Sequence, residues 1–501
     1  MSVRTYGLSG SGMDIDQMVK SMMKSPQMRY DSLIQKKTQL EWKKADYNTM
    51  YTAVSDFQKT VFNYKMSSMV SPKVVSSNDE KIVQATANAD AVNITHSLTV
   101  NKLAKGVSLI SAGANANPPA GSDTITTGAA KDTLADQFTA LNGTFTIKIA
   151  NGGSSKEITV DTSKSIYQLV SDINSAGINV KANYDTTLDR FFLSTTNTGA
   201  KTTLDFTGSD AAGMSFLQNN LKLCVDPAQN QGQDADITLD NVQIKQSNNN
   251  FTISGITYNL TSEGEANVSV APDNDKIFTN VKAFVDTYNN MLDKLNSKLK
   301  EAKYSDYLPL TDDQKKEMSD SQITAWEAKA KSGLLHNDSV LRDIVDKMRS
   351  AVSSPVSGLS GKYTSFAAIG ITTGDYSENG KLHIDENKLK DAIKDDPDVI
   401  NNLFDTNGST SSKQGIVVRL SDSLKNGMGE IAREAGYSAD ITDDTKSALA
   451  NEIRDYNNQV STLGKRLTEM EDNYYNRFNA MEEALNKINQ QSNWLTSQLK
   501  G

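Results

Sequence analysis

Hydrophobic positions recur every seven residues in two long segments of the chain. In the first segment, residues 30–64, Lys36 and Lys43 interrupt an apolar stripe only in its first half. The stripe consists of Leu33, Leu40, Tyr47, Val54 and Val61, with Met50, Phe57 and Tyr64 between them. This spacing is typical of helices that pair in coiled coils. It predicts a long helix with one face buried against another helix.

The second segment, residues 453–499, carries a stronger repeat. Its first seam position holds Ile453, Val460, Leu467, Tyr474, Met481, Ile488 and Leu495. The second seam position moves from three to four residues after the first around Met470, Tyr474 and Phe478, and it continues with Leu485 and Leu499. Such a stutter locally unwinds a left-handed coiled coil. A third amphipathic helix is predicted over residues 276–299. Because an exposed Leu, Ile or Val forfeits roughly 1.5 to 3 kcal/mol relative to burial, we expect these helices to bundle.

A glycine- and serine-rich run, residues 6–12, precedes a methionine-rich helical pattern. Asp14 stands where an N-cap belongs, with Gln17 three residues later. Ile15, Met18, Val19 and Met22 share one helical face. Because proline lacks an amide donor and clashes with the preceding turn, we expect Pro26 to end this helix. The pattern predicts a short amphipathic helix on a flexible docking segment.

A phosphate-binding loop is the competing interpretation of the same run. Such a loop ends in Gly-Lys-Ser or Gly-Lys-Thr, so that a lysine reaches the phosphates. Here Gly12 is followed by Met13 and Asp14, and an aspartate would repel a phosphate group. The docking interpretation is therefore favoured.

The middle of the chain is rich in Thr, Asn and Gly and alternates between apolar and polar residues. Residues 143–161 predict a hairpin that turns at Asn151-Gly152-Gly153. A helix is predicted in residues 163–177, and two strands follow at 178–185 and 190–195. Strand patterns at 92–110 and 237–271 indicate a second β-rich domain, into which this first module is inserted.

We therefore predict an α+β multidomain fold, with a helical, coiled-coil leg formed by the N- and C-terminal segments and β-rich head domains inserted between them. The predicted domains are 1–29, a flexible docking segment; 30–72, a leg helix; 73–110 with 237–272, a β-rich head domain; 111–236, an inserted head domain; 273–440, a mainly helical leg domain; and 441–501, a C-terminal coiled coil and docking segment.

Composition narrows the possible partners. A net charge of −9 and a pI of about 5.1 argue against binding to nucleic acid.

The single cysteine, Cys224, cannot form an intrachain disulfide and is expected to be buried. No apolar stretch approaches the roughly 20 residues that cross a bilayer, so no membrane insertion is expected. The first residues lack the apolar core of a secretory signal, so we expect any secretion to use another route, without a cleaved signal peptide.

The sequence gives little sign of catalytic or metal-binding chemistry. The three histidines, His96, His336 and His383, lie far apart without the spacing of paired ligands. Residues 375–386 partly match a calcium-binding loop, but the preceding residues resemble a strand and a turn where an EF-hand needs a helix. A hairpin turn that leads into a helix from Asp385 is the alternative. We expect no enzymatic activity, no cofactor and no metal.

Several separated segments resemble the flagellar filament cap protein family, also called hook-associated protein 2. The quoted matches, in chain order, are "GLSGSGMDIDQMVKSMM", "SLTVNKLAKG", "SIYQLVSDINSAGINVKANYD", "DKIFTNVKAFVDTYNNMLDKL", "KSGLLHNDSVLRDIVDKMR", "IGITTGDYSENGKLHIDENKLKDAI" and "YYNRFNAMEEALNKINQQSNWLTSQL". The third is similar to the flagellin IN motif, centred on Ile173-Asn174, and so does not separate a cap from a filament subunit. The closing segment favours the cap.

The resemblance implies an extracellular protein that forms a homo-oligomeric ring at the distal tip of the bacterial flagellum and helps exported flagellin to fold and insert. It also implies export by the flagellar type III apparatus, with an export chaperone. Terminal helices have the least intramolecular cover, so the candidate oligomerisation and docking residues are Ile15, Met18, Met22, Leu467, Tyr474, Phe478, Met481, Leu485, Ile488 and Leu495. A glycan- or host-binding adhesin, a cell-wall hydrolase and flagellin itself are the alternatives.

Overall fold

The computed structural model describes residues 14–111, 125, 132–138, 141–437 and 444–499. The chain divides into a helical unit, drawn from residues 1–70 and 274–501, and a β-rich unit, residues 71–273. The predicted α+β fold, with helices from both terminal segments and β-sheets from the middle, is confirmed.

The first helix, α1 (Ile15–Asn63), is followed by the short α2 (Ser67–Val70). Asp14 caps α1 as predicted, because its carboxylate accepts a hydrogen bond from the Gln17 amide at 2.9 Å. The prediction that Pro26 ends this helix is wrong, since α1 continues through Pro26. Residues on both sides of the proline pack against the last helix of the chain, and this packing offsets the missing donor. Residues 15–29 are thus part of α1, and residues 1–13 lie outside the described residues.

In the β-rich unit, antiparallel pairing builds every sheet. Its elements are β1 (Lys73–Ser77), β2 (Val83–Ala87), β3 (Thr95–Lys102), β4 (Ser108–Ile110), α3 (Leu134–Gln137), β5 (Thr144–Asn151), β6 (Ser154–Asp161), α4 (Ile166–Asn174), β7 (Val180–Asp185), β8 (Arg190–Thr195), α5 (Ala211–Ser215), a π-helical turn at Phe216–Asn220, β9 (Ala235–Leu239), β10 (Val242–Gln246), β11 (Asn250–Ile253), β12 (Ile256–Leu260) and β13 (Gly264–Pro272).

The sheets have the strand orders β1-β13-β3-β9-β10, β11-β12-β2 and β4-β8-β7, beside the hairpin β5-β6. They surround two hydrophobic clusters, one within residues 107–225 and one within residues 83–104 and 235–270. The predicted hairpin, the helix α4 and the strands β7 and β8 are confirmed, and Cys224 is buried.

Strand β4 differs from the sequence prediction in its pairing. The sequence pattern groups it with residues 73–110, but Leu109 pairs with Leu193 of β8. Its side chain is buried in the cluster within residues 107–225. A three-residue strand carries too little alternation to show which sheet it joins, so burial decides the pairing.

The helical unit resumes after β13. Its elements are α6 (Asn274–Leu299), α7 (Asp312–Lys316), α8 (Asp320–Lys331), α9 (Ser339–Ser353), β14 (Ile371–Thr373), β15 (Leu382–Ile384), α10 (Glu386–Asp395), α11 (Val399–Asp405), α12 (Ile416–Ala435) and α13 (Ala448–Leu499), with 3-10 turns at Ala367–Ile369, Tyr376–Glu378 and Ser411–Lys413. The predicted third helix is α6, and its apolar stripe is buried as expected.

Aromatic packing joins α6 to the second half of α1. The ring of Phe284 lies 5.3 Å from Tyr64, 5.1 Å from Phe404 and 6.0 Å from Phe366, measured between centroids. Tyr47, Met50, Val54, Phe57 and Val61 on the α1 stripe enter the same hydrophobic cluster. Helices α9 to α12 complete this cluster, which is the main core of the helical unit.

The calcium-loop-like segment is the hairpin of β14 and β15, so the hairpin interpretation is confirmed. Its turn places Asn379 and Gly380 at φ values of 55° and 94°, a region that asparagine and glycine tolerate. The His383 ring nitrogen Nε2 lies 2.7 Å from a carboxylate oxygen of Glu378. Within the part of the chain that the structure describes, no cluster of three or more His, Cys, Asp or Glu side chains has the geometry to hold a metal ion.

Helices α7 and α8 lie between α6 and α9, in a segment whose role the sequence pattern does not explain. The Trp326 indole nitrogen donates a hydrogen bond to the Leu308 carbonyl at 2.8 Å, and its ring lies 4.6 Å from that of Tyr307. The Lys331 ammonium lies 4.7 Å from the Trp42 ring of α1. Trp326 therefore joins α8 to the segment before α7, and Lys331 contacts α1. The described helices include none with the length and hydropathy needed to cross a membrane.

Candidate docking surface on the paired terminal helices

Helices α1 and α13 run antiparallel over most of the length of α1. Tyr475 meets Asp16 near the start of α1, and a Cβ atom on Gly464 would lie 3.3 Å from the Tyr30 ring. Farther along, Lys44 contacts Asp444, which precedes α13. Three contacts in this order fix the direction and register of the pair.

A charged contact fixes the first turn of α13. Lys44 is only 1% exposed, and its ammonium donates to Asp444 at 2.6 Å and to the Ala435 carbonyl at 2.7 Å. Burial alone would raise the pKa of Asp444, but hydrogen bonds from Lys44 and Ser447 hold this pKa well below its usual range. The ionised carboxylate and the ammonium therefore bind α1 to the segment that leads into α13.

A hydrogen bond beside this ion pair anchors α1 to a second helix. The Tyr47 hydroxyl donates to the carboxylate of Asp338, the N-cap of α9, at 2.5 Å. Burial and this carboxylate raise the pKa of Tyr47. The hydroxyl thus stays protonated and keeps donating.

A small separate cluster closes the other end of the pair. Ile15 and Val19 of α1 are buried against Tyr475 and Phe478 of α13, with Met23 and Tyr474 at the edge. The Tyr475 hydroxyl lies 2.8 Å from a carboxylate oxygen of Asp16. Between this cluster and Lys44, no residue of α1 is fully buried, and Leu33 and Leu463 beside it are half-buried. The pair is thus anchored at its two ends.

Beyond Phe478, the apolar repeat of α13 continues in solvent. We call the exposed apolar residues here and on the first turns of α1 the apolar ridge. It consists of Met18, Met22, Met481, Ile488, Trp494, Leu495 and Leu499. Ile488, Leu495 and Leu499 are 58%, 54% and 80% exposed. The last 21 residues of α13 thus present a helical face that no described residue of this chain covers.

The structure divides the ten predicted docking residues into three groups. Ile15, Leu467 and Phe478 are buried inside the chain, and Tyr474 and Leu485 are half-buried. Met18, Met22, Met481, Ile488 and Leu495 are exposed. Trp494, 62% exposed, is not among the predicted residues, because it lies one residue away from the heptad position of Leu495. Met28, also 62% exposed, follows the proline that is expected to end the helix and is likewise not among them.

The arrangement suits association. The end of α13 offers a helix with an exposed apolar face. Contiguous exposed apolar surface generally marks a site of association, and an apolar helical face can pack against other helices.

Comparison with known proteins identifies the family. Residues 232–490 match the family model of the flagellar hook-associated protein 2 C-terminus, and residues 11–106 match that of its N-terminus. The flagellar hook-associated protein 2 of Halalkalibacterium halodurans is 31% identical over 96% of this chain and 97% of its own length. The protein of the same name from Salmonella typhimurium is 26% identical over 70% of this chain and 71% of its own.

A solved structure shares the fold. The D1-D2-D3 domains of the flagellar cap protein FliD from Escherichia coli superpose with a TM-score of 0.54 at 22% identity, over 82% of this chain and 99% of that chain. The family resemblance drawn from separated sequence segments is confirmed by matches that extend along both terminal regions. The chain belongs to the flagellar hook-associated protein 2 family.

Proposed function

We propose that this chain caps the flagellar filament. Copies of it assemble into a ring at the distal tip, outside the cell, where the ring promotes the folding and insertion of exported flagellin and prevents its loss. Membership of the hook-associated protein 2 family supports this role, as does the fold shared with a flagellar cap protein. The protein acts as a structural assembly factor and not as an enzyme.

The apolar ridge is the observation that carries the proposal. Covering one exposed Ile or Leu side chain stabilises a complex by roughly 1.5 to 3 kcal/mol, and the ridge offers several such side chains in line. The residues proposed to dock are those of the apolar ridge, Met18, Met22, Met481, Ile488, Trp494, Leu495 and Leu499, together with the half-buried Leu485. Ile15, Tyr474 and Phe478 support the ridge from within the chain, because their cluster holds α1 and α13 together. Leu467 is buried inside the chain.

The proposed partners are other copies of this chain and flagellin. Delivery through the flagellar type III apparatus with an export chaperone belongs to the same proposal. The domain boundaries predicted from the sequence also remain proposals. Adhesion through the β-rich unit stays a prediction that rests on its polar composition.

Complementation of a strain that lacks its own cap protein tests the proposal. The variant Ile488→Gln with Leu495→Gln keeps residues that favour helix formation but removes two apolar side chains from the ridge. We expect short or absent filaments and flagellin monomers released into the medium. Electron microscopy of the filaments and immunoblotting of the culture medium provide the measurements.

The matched control is Asn486→Ala with Asn493→Ala, which changes two exposed residues, also seven apart, on a face of the same helix away from Ile488, Leu495 and Trp494. It should support normal filaments. Full-length filaments in cells that carry the Gln variant would contradict the docking role of the ridge. Circular dichroism and secretion levels should match between the two variants, so that a folding or export defect is not mistaken for a capping defect.

A further inference from the structure

A polar pocket lies in the helical unit at the C-terminal end of α9. Its volume is about 540 Å³, and its walls are the end of α9, the loop that follows it, the 3-10 turn at Ser411–Lys413 and the middle of α12. Six serines line it: Ser350, Ser354, Ser357, Ser411, Ser412 and Ser423. The lining also contains Lys347 and Arg419, and it contains no Asp or Glu.

Arg419 is the unusual member of this lining. The side chain is only 5% exposed, yet no carboxylate among the described residues lies within ion-pair distance of its guanidinium. Two of its N–H groups donate to the Pro355 and Ser354 carbonyls, at 3.0 and 2.7 Å. Its Nε atom is buried and has no hydrogen-bond partner among the described residues. Burial lowers the pKa of Arg419, with no neighbouring acid to oppose the shift.

Such a buried cation is costly, because a charge removed from water is normally paired with an opposite charge. The two carbonyls at the end of α9 supply partial negative charge only. Lys347 is already paired with Asp343 at 2.6 Å, so its charge is largely compensated. The pocket therefore keeps a net positive charge at its wall, although the chain as a whole has a net charge of −9.

We propose that this pocket binds a tetrahedral oxyanion of the sulfate or phosphate type. Its charge would offset that of Arg419, and its four oxygens accept hydrogen bonds from serine hydroxyls on three sides of the pocket. Arg419 offsets one of the two negative charges of a sulfate ion, and the serine hydroxyls donate hydrogen bonds to it without adding charge. Two of these serines, Ser411 and Ser412, are exposed. The proposal is independent of the capping role.

Equilibrium dialysis of the full chain with radiolabelled sulfate tests this site. Sodium chloride holds the ionic strength constant, so that general screening does not vary. We expect one saturable site per chain, competition by inorganic phosphate, and no competition by acetate at the same concentration. Equal competition by acetate would overturn the assignment to a tetrahedral anion, because a carboxylate would then be the ligand.

Variants locate the binding. Arg419→Lys should weaken sulfate binding at least tenfold, since a lysine cannot reproduce the forked donors. If that variant folds poorly, Ser411→Ala with Ser412→Ala removes two exposed hydroxyls and should weaken binding several-fold. Arg433→Lys, an exposed position on the same helix, is the matched control and should bind as the unaltered chain does. Absence of saturable binding, or unchanged affinity in both pocket variants, would overturn the proposal.

Discussion

The two ends of α13 differ in what surrounds the same apolar repeat. Near its start, Leu449, Ala450 and Ile453 are buried, and the Lys44–Asp444 pair fixes the segment that leads into it. At its far end, Ile488, Leu495 and Leu499 continue the repeat in solvent. A heptad pattern therefore predicts that a helical face packs against another helix, but it does not predict whether that helix belongs to the same chain. One end of α13 is buried within the chain, and the other keeps its apolar side chains exposed.

The largest effect is expected in the main core of the helical unit. Phe284→Ala removes a ring that contacts three other aromatic rings and leaves a cavity. We expect a loss of about 4 kcal/mol in the free energy of unfolding, measured by urea denaturation. The control Tyr376→Ala, at a position 95% exposed, should change that energy by less than about 0.5 kcal/mol. Similar losses in both variants would mean that this core is not packed as described.

The next effect concerns the buried ion pair. Asp444→Asn leaves the Lys44 ammonium buried without a counter-charge, which should cost about 3 kcal/mol of stability. The double variant Lys44→Met with Asp444→Asn should recover much of that loss, because no uncompensated charge remains. The single variant Lys44→Met completes the cycle. A loss in the double variant equal to the sum of the losses in the two single variants would show that the two residues are not coupled.

The same pair predicts a dependence of stability on pH. The folded-state pKa of Asp444 lies below its unfolded-state value of about 3.9. Its contribution is therefore fully present above pH 4 or so and is lost as the pH falls toward the folded-state pKa. The stability difference between the unaltered chain and Asp444→Asn should shrink between about pH 4 and pH 2. Urea denaturation at several pH values measures it, and a constant difference would contradict the assignment.

The smallest effect is expected on the apolar ridge. Ile488→Gln with Leu495→Gln should change the free energy of unfolding of the isolated chain by less than about 0.5 kcal/mol, because both side chains are exposed. The same variant is expected to abolish capping. A clear loss of stability in dilute monomer would show that the ridge packs within the chain, and this would remove the contrast between the two ends of α13.

Long periodic segments were the most predictable part of the fold. The repeats in residues 30–64 and 453–499 and the stripe of α6 predicted three helices, because a helix of many turns repeats its burial pattern often enough to be recognised. The hairpin of β5 and β6 was predictable from alternation around Asn151-Gly152-Gly153. Each of these signals is local in the sequence.

Features that depend on distant residues were not predictable. Pro26 is tolerated because α13 packs beside it, and β4 joins β8 because of where Leu109 is buried. Lys44 and Arg419 lie in the core, where sequence patterns place only apolar side chains. The partners that make their burial possible are separated from them by 391 residues for Lys44 and by 64 for Arg419.

For the docking surface, the sequence predicts that the apolar stripes of the terminal helices are buried, but it does not predict which residues of the two stripes are in contact. Phe478 and Ile488 both fall on the seams of the repeat, yet only Phe478 has an α1 residue beside it. The difference arises from the register of the antiparallel pair. Three tertiary contacts set this register, and a heptad repeat gives no information about it.

The pairing of α1 with α13 also constrains the order of folding during synthesis. Asp16 and Tyr475 are 459 residues apart in sequence, so α1 leaves the ribosome long before its partner exists. The β-rich unit is one continuous stretch, residues 71–273, and has all of its strands well before translation ends. A nascent chain thus contains all the strands of this unit while the first half of α1 still lacks α13 as its partner.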